Sequence, residues 1–245
     1  MELWKGYKKE DFSVNGRNSV IVYPDKPADG NPWVWRTEFF GAFDYADMDM
    51  VKNGRFVLNH AVCDMYGCPQ SVEMMKEFYD YAVKTYNLSS KPSLFGFSRG
   101  GLYAVNFALR YPDCVSCLYL DAPVTDIRSW PGGLLPESTG DEECAKECMD
   151  WYGIKTKEEY LNFKNSPNDN AAKIAELGIP TIIVAGQEDK TVPVKYNCEV
   201  FIRNFRENNL TTPLKVIFKP FCDHHPHSLE DPAEITEFIR KYDCK

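Results

Sequence analysis

Gly96-Phe97-Ser98-Arg99-Gly100 is the stretch that decides the fold, because it spells G-x-S-x-G where a strand should lead into a helix. A short apolar run at residues 92–95 precedes it, and apolar residues at helical spacing follow over residues 101–110. In this setting the pattern predicts a nucleophile elbow, a strained turn that exposes the serine hydroxyl at the top of a parallel sheet. The small residues two positions before and after the serine allow the strand and the helix to pack closely.

The rest of the chain alternates between strand and helix patterns. Residues 11–14 and 17–23 are predicted to form a hairpin around Asn15-Gly16, a pair typical of type I′ turns. We expect Ser71 to cap the start of an amphipathic helix. Further strands are predicted at 32–36, 55–60, 115–121, 181–185 and 214–219, and helices at 41–53, 71–86, 194–208 and 232–242.

This alternation predicts an α/β fold with a mainly parallel sheet, helices on both of its faces and an antiparallel hairpin at its start. The segment of residues 123–180 breaks the alternation, being irregular and helical. We expect it to form a cap over the carboxyl edge of the sheet, within a single domain that spans residues 1–245. In sheets of this kind, ligands bind at that edge.

Composition limits the classes of partner. The 245 residues carry a net charge of −8, and the Lys and Arg residues are scattered along the chain. We therefore expect neither nucleic acid nor an anionic membrane as a partner. No apolar run approaches the ~20 residues of a membrane span, and residues 1–7 lack the apolar core of a signal peptide. The prediction is a cytoplasmic protein, although a secreted chain whose signal had been removed would read the same. The sequence does not indicate an oligomeric state.

Nine cysteines are spread along the chain, at positions 63, 68, 114, 117, 144, 148, 198, 222 and 244. An odd number at irregular spacing does not indicate a disulfide framework, so we predict free thiols that are mostly buried. Cys114 and Cys117 have C-x-x-C spacing, but no second pair accompanies them to complete a metal site.

A serine hydroxyl needs a base before it can act as a nucleophile, and the base needs an acid to orient it. After a nucleophile elbow the acid and then the base follow the serine in chain order, each after a later strand. Asp189 follows the strand at 181–185, and His224 follows the strand at 214–219. Ser98, Asp189 and His224 are therefore predicted as the nucleophile, the orienting acid and the general base.

Other residues compete for these roles. Asp121 ends the strand after the elbow and is the main alternative acid, while Glu188 is adjacent to Asp189 but off the pattern. His225 is the alternative base. His225 and His227 also form a cluster with His224, but no obvious further set of ligands accompanies them, so no metal is predicted. His60 ends a strand, and we expect it to be a packed, hydrogen-bonded histidine.

Over residues 12–242 the chain resembles the serine hydrolases of the α/β-hydrolase fold. The resemblance rests on the serine motif, on a histidine after the last strand, and on Gly186, Asp189, Val192 and Pro193 in the pattern G-x-x-D-x-x-V-P. Stretches at 33–41, 98–101, 121–124, 129–133 and 224–229 are similar to a bacterial group of carbohydrate (acetyl or feruloyl) esterases. That group is described as dienelactone-hydrolase-like and prolyl-oligopeptidase-like.

The resemblance implies a serine carboxylic-ester hydrolase that works through an acyl-enzyme. Its substrates would be acetyl or hydroxycinnamoyl esters of plant-derived carbohydrate, in the form of small molecules or oligosaccharides, and it would need no cofactor. Three alternatives remain open: a prolyl-oligopeptidase-like peptidase, a glucuronoyl-ester hydrolase and a non-catalytic binding protein of the same fold.

An oxyanion hole requires two N–H donors aimed at the developing charge. The backbone N–H of Arg99 is predicted as the first, and Thr37 or Glu38 as the second, since Arg36-Thr37-Glu38 stands where many relatives have His-Gly. The Arg99 side chain either reaches the oxyanion or a substrate carboxylate, as the Ser-Arg pair of glucuronoyl esterases suggests, or pairs with Glu38. Aromatic side chains suit sugar rings and phenolic acyl groups. The candidates to line the substrate pocket are Trp130, Phe39, Tyr66, Trp151, Phe40 and Tyr45.

Overall fold

A nine-stranded sheet organises the computed structural model, which describes residues 2–208 and 210–243. The strands are β1 (Glu2–Trp4), β2 (Tyr7–Val14), β3 (Arg17–Val22), β4 (Trp33–Arg36), β5 (Phe56–His60), β6 (Ser93–Phe97), β7 (Cys117–Asp121), β8 (Thr181–Gly186) and β9 (Leu214–Lys219). They lie in the order β1-β2-β3-β5-β4-β6-β7-β8-β9. The pairs among β1, β2, β3 and β5 are antiparallel and all others are parallel. The predicted fold class, a mainly parallel sheet opened by an antiparallel hairpin, is confirmed.

The opening hairpin follows from its turn. Val14 pairs with Arg17, which leaves a two-residue loop. Both loop residues have left-handed backbones, with φ of 49° at Asn15 and 79° at Gly16, as a type I′ turn requires. The strand β1, which pairs with β2, was not predicted from the sequence.

The helices are α1 (Tyr45–Lys52), α2 (Pro69–Tyr86), α3 (Gly100–Arg110), α4 (Glu142–Tyr152), α5 (Lys157–Leu161), α6 (Ala171–Glu176), α7 (Cys198–Phe205) and α8 (Ala233–Arg240). The capping role predicted for Ser71 is wrong. Helix α2 begins at Pro69, whose missing N–H costs nothing in the first turn, and Cys68 is the cap residue. The Ser71 hydroxyl instead donates to the Cys68 carbonyl at 2.7 Å.

Helices cover both faces of the sheet, as predicted. On one face Trp35 and Leu94 pack with helices α2, α3, α6 and α7 in one buried cluster. On the other face Phe95 and Phe97 pack with helices α1 and α8 in a second cluster. Successive residues of β6 thus alternate between the two clusters while the whole strand stays buried, which explains its continuous apolar sequence.

The segment predicted as a cap, residues 123–180, contributes to two different buried clusters. Its first part, with α4 and α5, forms a third buried cluster that includes Ile127 and Tyr160 and reaches Tyr66 and Leu102. Its last helix, α6, instead joins the cluster of α3 and α7 beside the sheet. Only the first part of the segment therefore packs together with Tyr66, Leu102 and Val192.

Two other expectations concern the described residues. None of the helices within 2–208 and 210–243 combines the length and the apolar character needed to cross a bilayer. Eight of the nine cysteines are described and all eight are free thiols, as predicted. Only four of them, Cys68, Cys117, Cys148 and Cys198, are buried, so the expectation that most would be buried holds for half of the described set. Cys244 lies outside the described residues.

Candidate active site

Ser98 lies directly after β6, in the turn that leads into α3. Its backbone has a φ of 49°, a strained conformation for a residue that carries a side chain. Three main-chain hydrogen bonds hold the turn. The Ser98 N–H donates to the Asp121 carbonyl at 2.9 Å, and the Ser98 carbonyl accepts from Gly101 N at 3.0 Å and Val124 N at 2.8 Å. The turn is therefore fixed by the end of the neighbouring strand β7 and the residues that follow it.

Glycines around the serine allow this close approach. A Cβ atom on Gly96 would lie 2.9 Å from the Gly100 carbonyl oxygen, and one on Gly101 would lie 2.6 Å from the Cβ atom of Pro123. Both distances are shorter than carbon and oxygen atoms tolerate, so these positions accept no side chain without a shift of the backbone. The strand–helix packing role predicted for the small residues of the motif agrees with the geometry at Gly96, whereas a Cβ atom on Gly100 would instead meet the Thr37 hydroxyl at 3.1 Å.

The structure brings Ser98, His224 and Asp189 into one hydrogen-bonded chain. His224 Nε2 lies 3.0 Å from Ser98 Oγ, and His224 Nδ1 lies 2.7 Å from Asp189 Oδ2. His224 and Asp189 are buried, while Ser98 is partly exposed. Because an ionised carboxylate only accepts hydrogen bonds, the imidazole proton belongs on Nδ1, and Nε2 is left to accept the serine proton. This arrangement can activate a serine hydroxyl.

The loop after β8 orients the Asp189 carboxylate toward His224. Asp189 Oδ1 accepts a hydrogen bond from the backbone N–H of Val192 at 2.7 Å, which leaves Oδ2 for His224. Gly186, at the start of the same loop, lies directly against the carbonyl groups of Cys222 and Asp223. The geometry thus explains two residues of the G-x-x-D-x-x-V-P pattern. Gly186 leaves no space for a side chain, and Asp189 hydrogen-bonds both Val192 and His224.

Asp223 contributes to the site although the sequence analysis did not identify it. Its Oδ1 accepts from Lys190 N at 2.9 Å and from His224 N at 2.7 Å, so one carboxylate joins the loop of the acid to the loop of the base. These two backbone donors lower the pKa of Asp223 below its usual range. The available signal was an aspartate directly before a candidate base, because short carboxylate side chains commonly bind nearby N–H groups in turns.

The alternative residues have other partners. The Asp121 carboxylate is fully buried and accepts from His227 Nδ1 at 2.8 Å, Tyr119 Oη at 2.6 Å and Ser228 N at 2.9 Å. His225 is exposed, and its ring stacks on Phe43 with 5.4 Å between centroids. Partial burial and the imidazoles of His227 and His224 lower the pKa of His225. Neither Asp121 nor His225 occupies the position taken by Asp189 or His224.

Two further residues weighed at these positions also lie elsewhere. Glu188 has an exposed side chain, and its backbone N–H donates to the Cys222 carbonyl at 2.9 Å. His60 is buried, accepts or donates at 2.9 Å with Ser19 Oγ, and stacks on Phe78 at 4.6 Å. Burial lowers the pKa of His60 to about 4. His60 is thus the packed, hydrogen-bonded histidine that the sequence led us to expect.

The structure separates the candidate donors of an oxyanion hole. The N–H groups of Arg99 and Glu38 donate no hydrogen bond within the described part of the chain, so both are available. Thr37 is different, because its N–H donates to the Phe95 carbonyl at 3.0 Å and its hydroxyl to the Gly100 carbonyl at 2.9 Å. The prediction of Thr37 as a donor is therefore contradicted. The Glu38 nitrogen lies 3.7 Å from the position that a Gly100 Cβ would take, close to the serine turn.

Arg36 holds the loop that carries Glu38. Its guanidinium is fully buried, donates to the carbonyl groups of Glu38 at 3.1 Å and of Ala42, and pairs with Asp47 at 2.6 Å. It also lies 3.5 Å above the centre of the Phe97 ring. The arginine that replaces the usual His-Gly thus fixes the loop through its carbonyl oxygens, which leaves the N–H of Glu38 free.

The Arg99 side chain pairs with Glu38, the second of the two alternatives considered from the sequence. Its Nε lies 2.5 Å from Glu38 Oε1, and its Nη2 lies 3.5 Å from Asp64 Oδ1. Glu38 is buried, and its other oxygen, Oε2, has no hydrogen-bond partner among the residues that the structure describes. Burial raises the pKa of Glu38 to about 7, even though Arg99 acts in the opposite direction. A charge at Glu38 is therefore only partly stabilised by its partner.

The predicted aromatic residues of the pocket do not form one group. Phe39 is 40% exposed, and its ring lies 5.4 Å from the Arg99 guanidinium, beside the serine turn. Trp130 is half-buried in the cluster that contains Val192 and lies 6.2 Å from the ring of Tyr66. Tyr66 itself is fully buried and donates to Glu147, so its hydroxyl faces the cap rather than a substrate.

The remaining aromatic candidates lie apart from these. Trp151 is exposed on α4, Tyr45 is exposed at the start of α1, and Phe40 packs against Trp4 at 5.3 Å. A cavity of about 250 Å³ opens elsewhere, and its lining includes Val72, Asn106 and Tyr152 but none of the predicted site residues.

Comparison of the structure with solved structures identifies the architecture. Dipeptidyl peptidase 4 of Porphyromonas gingivalis superposes with a TM-score of 0.68 and 14% identity over 96% of this chain. A puromycin-hydrolyzing peptidase of Mycobacterium tuberculosis gives 0.68 and 13% over 95%. MGS-MChE2, an α/β hydrolase enzyme from a metagenome of lagoon sediments at Mar Chica, Morocco, gives 0.56 and 18% over 95%. This is the α/β-hydrolase fold.

The likeness extends to the fold and no further, because all three identities are below 20%. The chain spans only 36% and 38% of the length of the two peptidases, but 96% of the metagenomic enzyme. No protein-family model and no curated protein matches the sequence. Within the α/β-hydrolase fold, Ser98, Asp189 and His224 follow β6, β8 and β9 at the carboxyl edge of the sheet.

Proposed function

We propose that this protein is a serine hydrolase that cleaves carboxylic esters through an acyl-enzyme. The observation that carries the proposal is the chain of two hydrogen bonds from Ser98 Oγ through His224 to Asp189. Its serine sits in a left-handed turn between a strand and a helix, which is costly for the backbone and is typical of a nucleophile elbow.

In the proposed reaction, His224 Nε2 takes the hydroxyl proton as Ser98 Oγ attacks the ester carbonyl carbon. The Asp189 carboxylate stabilises the imidazolium that forms. The backbone N–H groups of Arg99 and Glu38 donate to the oxyanion of the tetrahedral intermediate. As the C–O bond breaks, His224 returns the proton to the leaving alkoxide, and the acyl group remains on Ser98.

Deacylation repeats these steps with water. His224 removes a proton from the water molecule as its oxygen attacks the acyl carbon, and a second tetrahedral intermediate forms. When that intermediate collapses, His224 gives the proton to Ser98 Oγ and the carboxylic acid leaves. The reaction needs no cofactor, because every proton transfer passes through His224.

The finer proposal concerns the substrate, an acetyl or hydroxycinnamoyl ester of plant-derived carbohydrate, as a small molecule or an oligosaccharide. Its support is the resemblance of several stretches of the sequence to bacterial carbohydrate esterases. Phe39 and Trp130 are the aromatic surfaces that we propose for contact with the acyl group or a sugar ring. Trp151 on α4, Tyr45 on α1 and Phe40 beside Trp4 have no contact with the serine turn that would support the same role within the described residues.

Peptide-bond cleavage is the second candidate, because the fold is similar to that of two peptidases. An amide and an ester pass through the same kind of intermediate, so the triad geometry favours neither. The two reactions differ in the groups that the rest of the site must bind, so assays with ester and amide substrates distinguish them. We propose comparing p-nitrophenyl acetate, methyl ferulate, acetylated xylan and a methyl glucuronate ester with amino-acid and dipeptide p-nitroanilides.

The hydrolase proposal itself is tested with a fluorophosphonate probe on the folded protein. We expect stoichiometric labelling at Ser98, located by peptide mass spectrometry, and no labelling of Ser98→Ala. A second serine, Ser19, which also lies beside a histidine, provides the matched control, and Ser19→Ala should label normally. If the native protein stays unlabelled, a non-catalytic binding protein of this fold is the better description.

A further inference from the structure

We propose that His224, His225 and His227 form a binding site for a divalent transition metal such as Zn²⁺, and that the bound metal blocks the hydrolase. Each of the three side chains offers one ring nitrogen, and these atoms lie within 4.8 Å of one another. The binding part of the proposal stands on this cluster alone. The blocking part rests on the proposed function.

The separations are close to those of a zinc site. Nitrogen ligands bind zinc at about 2.0–2.1 Å in tetrahedral geometry, which places them roughly 3.4 Å from each other. The widest separation in the cluster, 4.8 Å, therefore has to shrink by about 1.4 Å, so metal binding requires small rotations of these side chains. Three histidines with a water molecule in the fourth position are a common ligand set for zinc. The sequence predicted no metal because no obvious further set of protein ligands accompanies these histidines.

His227 is already oriented as a metal ligand. Its Nδ1 is bound to the Asp121 carboxylate at 2.8 Å, which leaves Nε2 with a free lone pair. Asp121 is held in turn by the Tyr119 hydroxyl and the Ser228 N–H. A histidine that donates its other nitrogen to a carboxylate is the usual arrangement around protein-bound metals, because it fixes the ring and increases its basicity.

His225 is the solvent-exposed histidine of the cluster. Its ring nitrogens make no hydrogen bond within residues 2–208 and 210–243, and stacking on Phe43 limits its rotation. Its ring centroid lies 4.9 Å from that of His224 and 4.8 Å from that of His227. The carboxylates of Asp121, Asp189 and Asp223 lie next to this cluster and favour a cation there.

His224 makes the metal inhibitory. Both of its nitrogens have partners, with Nδ1 on Asp189 and Nε2 on Ser98. A metal bound to Nε2 takes the lone pair that accepts the serine proton, so the Ser98 hydroxyl loses its base. The Asp189 bond remains and supports metal binding in the same way as Asp121 supports it at His227. Metal binding and nucleophile activation are therefore mutually exclusive.

The first test measures binding without activity. We would titrate ZnCl₂ into the folded full chain by calorimetry, and CoCl₂ by visible absorption, for the native protein, Ser98→Ala and His225→Ala. We expect one site per chain, at least tenfold weaker binding to His225→Ala, and equal or tighter binding to Ser98→Ala, whose Nε2 is released. Equal affinities of the native protein and His225→Ala would overturn the metal site, whether or not the protein is a hydrolase.

Thiols also bind zinc, so they provide the controls. Cys222 lies beside the cluster, with its sulfur 3.6 Å from the His225 carbonyl, and Cys63 is exposed. We expect Cys222→Ser and Cys63→Ser to bind the metal as the native protein does, and the Co²⁺ spectrum to lack a thiolate charge-transfer band. Binding that disappears in either serine variant contradicts the histidine site.

The second test measures inhibition of p-nitrophenyl acetate hydrolysis by ZnCl₂, with each variant compared with its own metal-free rate. We expect reversal by a chelator and a concentration for half-inhibition at least tenfold higher in His225→Ala. Zinc bound to the histidines without any inhibition would overturn the blocking part of the proposal. A protein without metal-free activity in any ester or amide assay would contradict the proposed function instead.

Discussion

Two histidines within four residues of one loop, His224 and His227, each pair with an aspartate from another part of the chain. His224 Nδ1 is 2.7 Å from Asp189, and His227 Nδ1 is 2.8 Å from Asp121. Both histidines and both aspartates are buried. The pairs differ in what surrounds them, because His224 turns its other nitrogen to Ser98, whereas Asp121 also accepts from Tyr119 and Ser228 and anchors the loop.

The comparison shows that two histidine–carboxylate pairs of nearly equal length can differ in what the histidine contacts next, since only His224 reaches a serine hydroxyl. Asp121 ends β7, the strand next to the elbow, and its backbone carbonyl accepts the Ser98 N–H at 2.9 Å. Asp121 therefore holds the nucleophile turn through its main chain and the base loop through its side chain. In the proposed mechanism, Asp121 and His227 thus position the Ser98 turn and the loop that carries His224.

The largest difference should appear when the proposed base or nucleophile is exchanged for alanine. We expect His224→Ala and Ser98→Ala to lower kcat for p-nitrophenyl acetate by about 10⁴-fold or more, because no other group takes the serine proton. His225→Ala is the matched control on the same loop and should retain most of its activity. An active His224→Ala together with an inactive His225→Ala would exchange their roles.

Substitutions of Asp189 and Asp121 should affect different properties, kcat in the first case and stability in the second. Asp189→Asn is expected to lower kcat by about 10³–10⁴-fold, because the amide favours the wrong imidazole tautomer. Asp121→Asn should lower the free energy of unfolding by about 2–3 kcal/mol, since an amide cannot accept from all three buried donors. Kinetics per folded molecule and urea denaturation measure the two effects. If Asp121→Asn loses as much kcat as Asp189→Asn, the distinction between the pairs fails.

His227 gives a smaller effect that tests positioning. Its ring packs edge-on against His224, with 4.8 Å between centroids. We expect His227→Ala to lower kcat roughly tenfold through a less well placed His224. His227→Asn, which keeps a donor for Asp121, should recover part of that loss with little change in KM. Equal kcat values for His227→Ala and the native protein would show that His224 needs no such support.

A third buried carboxylate, Glu38, differs from both pairs because its partner is Arg99. Burial raises its pKa to about 7 from an ordinary 4.5, so the folded state binds more protons than the unfolded state between those values. Stability from this group is present below about pH 4.5 and is lost as pH rises through 7. The stability advantage of the native protein over Glu38→Gln should fall by about 1–3 kcal/mol from pH 4.5 to pH 8, measured by urea denaturation. An advantage that stays constant or grows with pH contradicts the assignment.

Sequence patterns predicted most strand positions along the chain, because buried parallel strands are apolar runs and the turns carry Asn-Gly and Gly-x-Ser-x-Gly signals. They also selected the three residues that the structure joins by hydrogen bonds. They missed β1, whose three residues form a strand only by pairing with β2. They also missed Asp223, and they assigned a capping role to Ser71, because a hydroxyl near a helix start does not reveal which residue occupies the cap.

The loop that carries Thr37 and Glu38 shows a second limit of prediction from sequence. Thr37 and Glu38 are adjacent in the sequence, and only the three-dimensional structure shows that the N–H of Thr37 is used by Phe95. The same limit applies to the aromatic residues predicted to line the substrate pocket. Tyr66 and Trp151 are both aromatic, but Tyr66 is fully buried and Trp151 lies exposed on α4. Residue type indicates what a side chain can do, and packing decides whether it is in a position to do it.

The bonds that fix the site come largely from the main chain. Ser98, Lys190, Val192 and His224 each contribute a backbone N–H to the carbonyl or carboxylate that holds their loop. Every residue except proline can supply that donor. Side chains at exposed positions such as Lys190 are therefore free to diverge while the reactive centre keeps its shape, and a scaffold of this kind can acquire new substrate preferences by drift or by directed evolution.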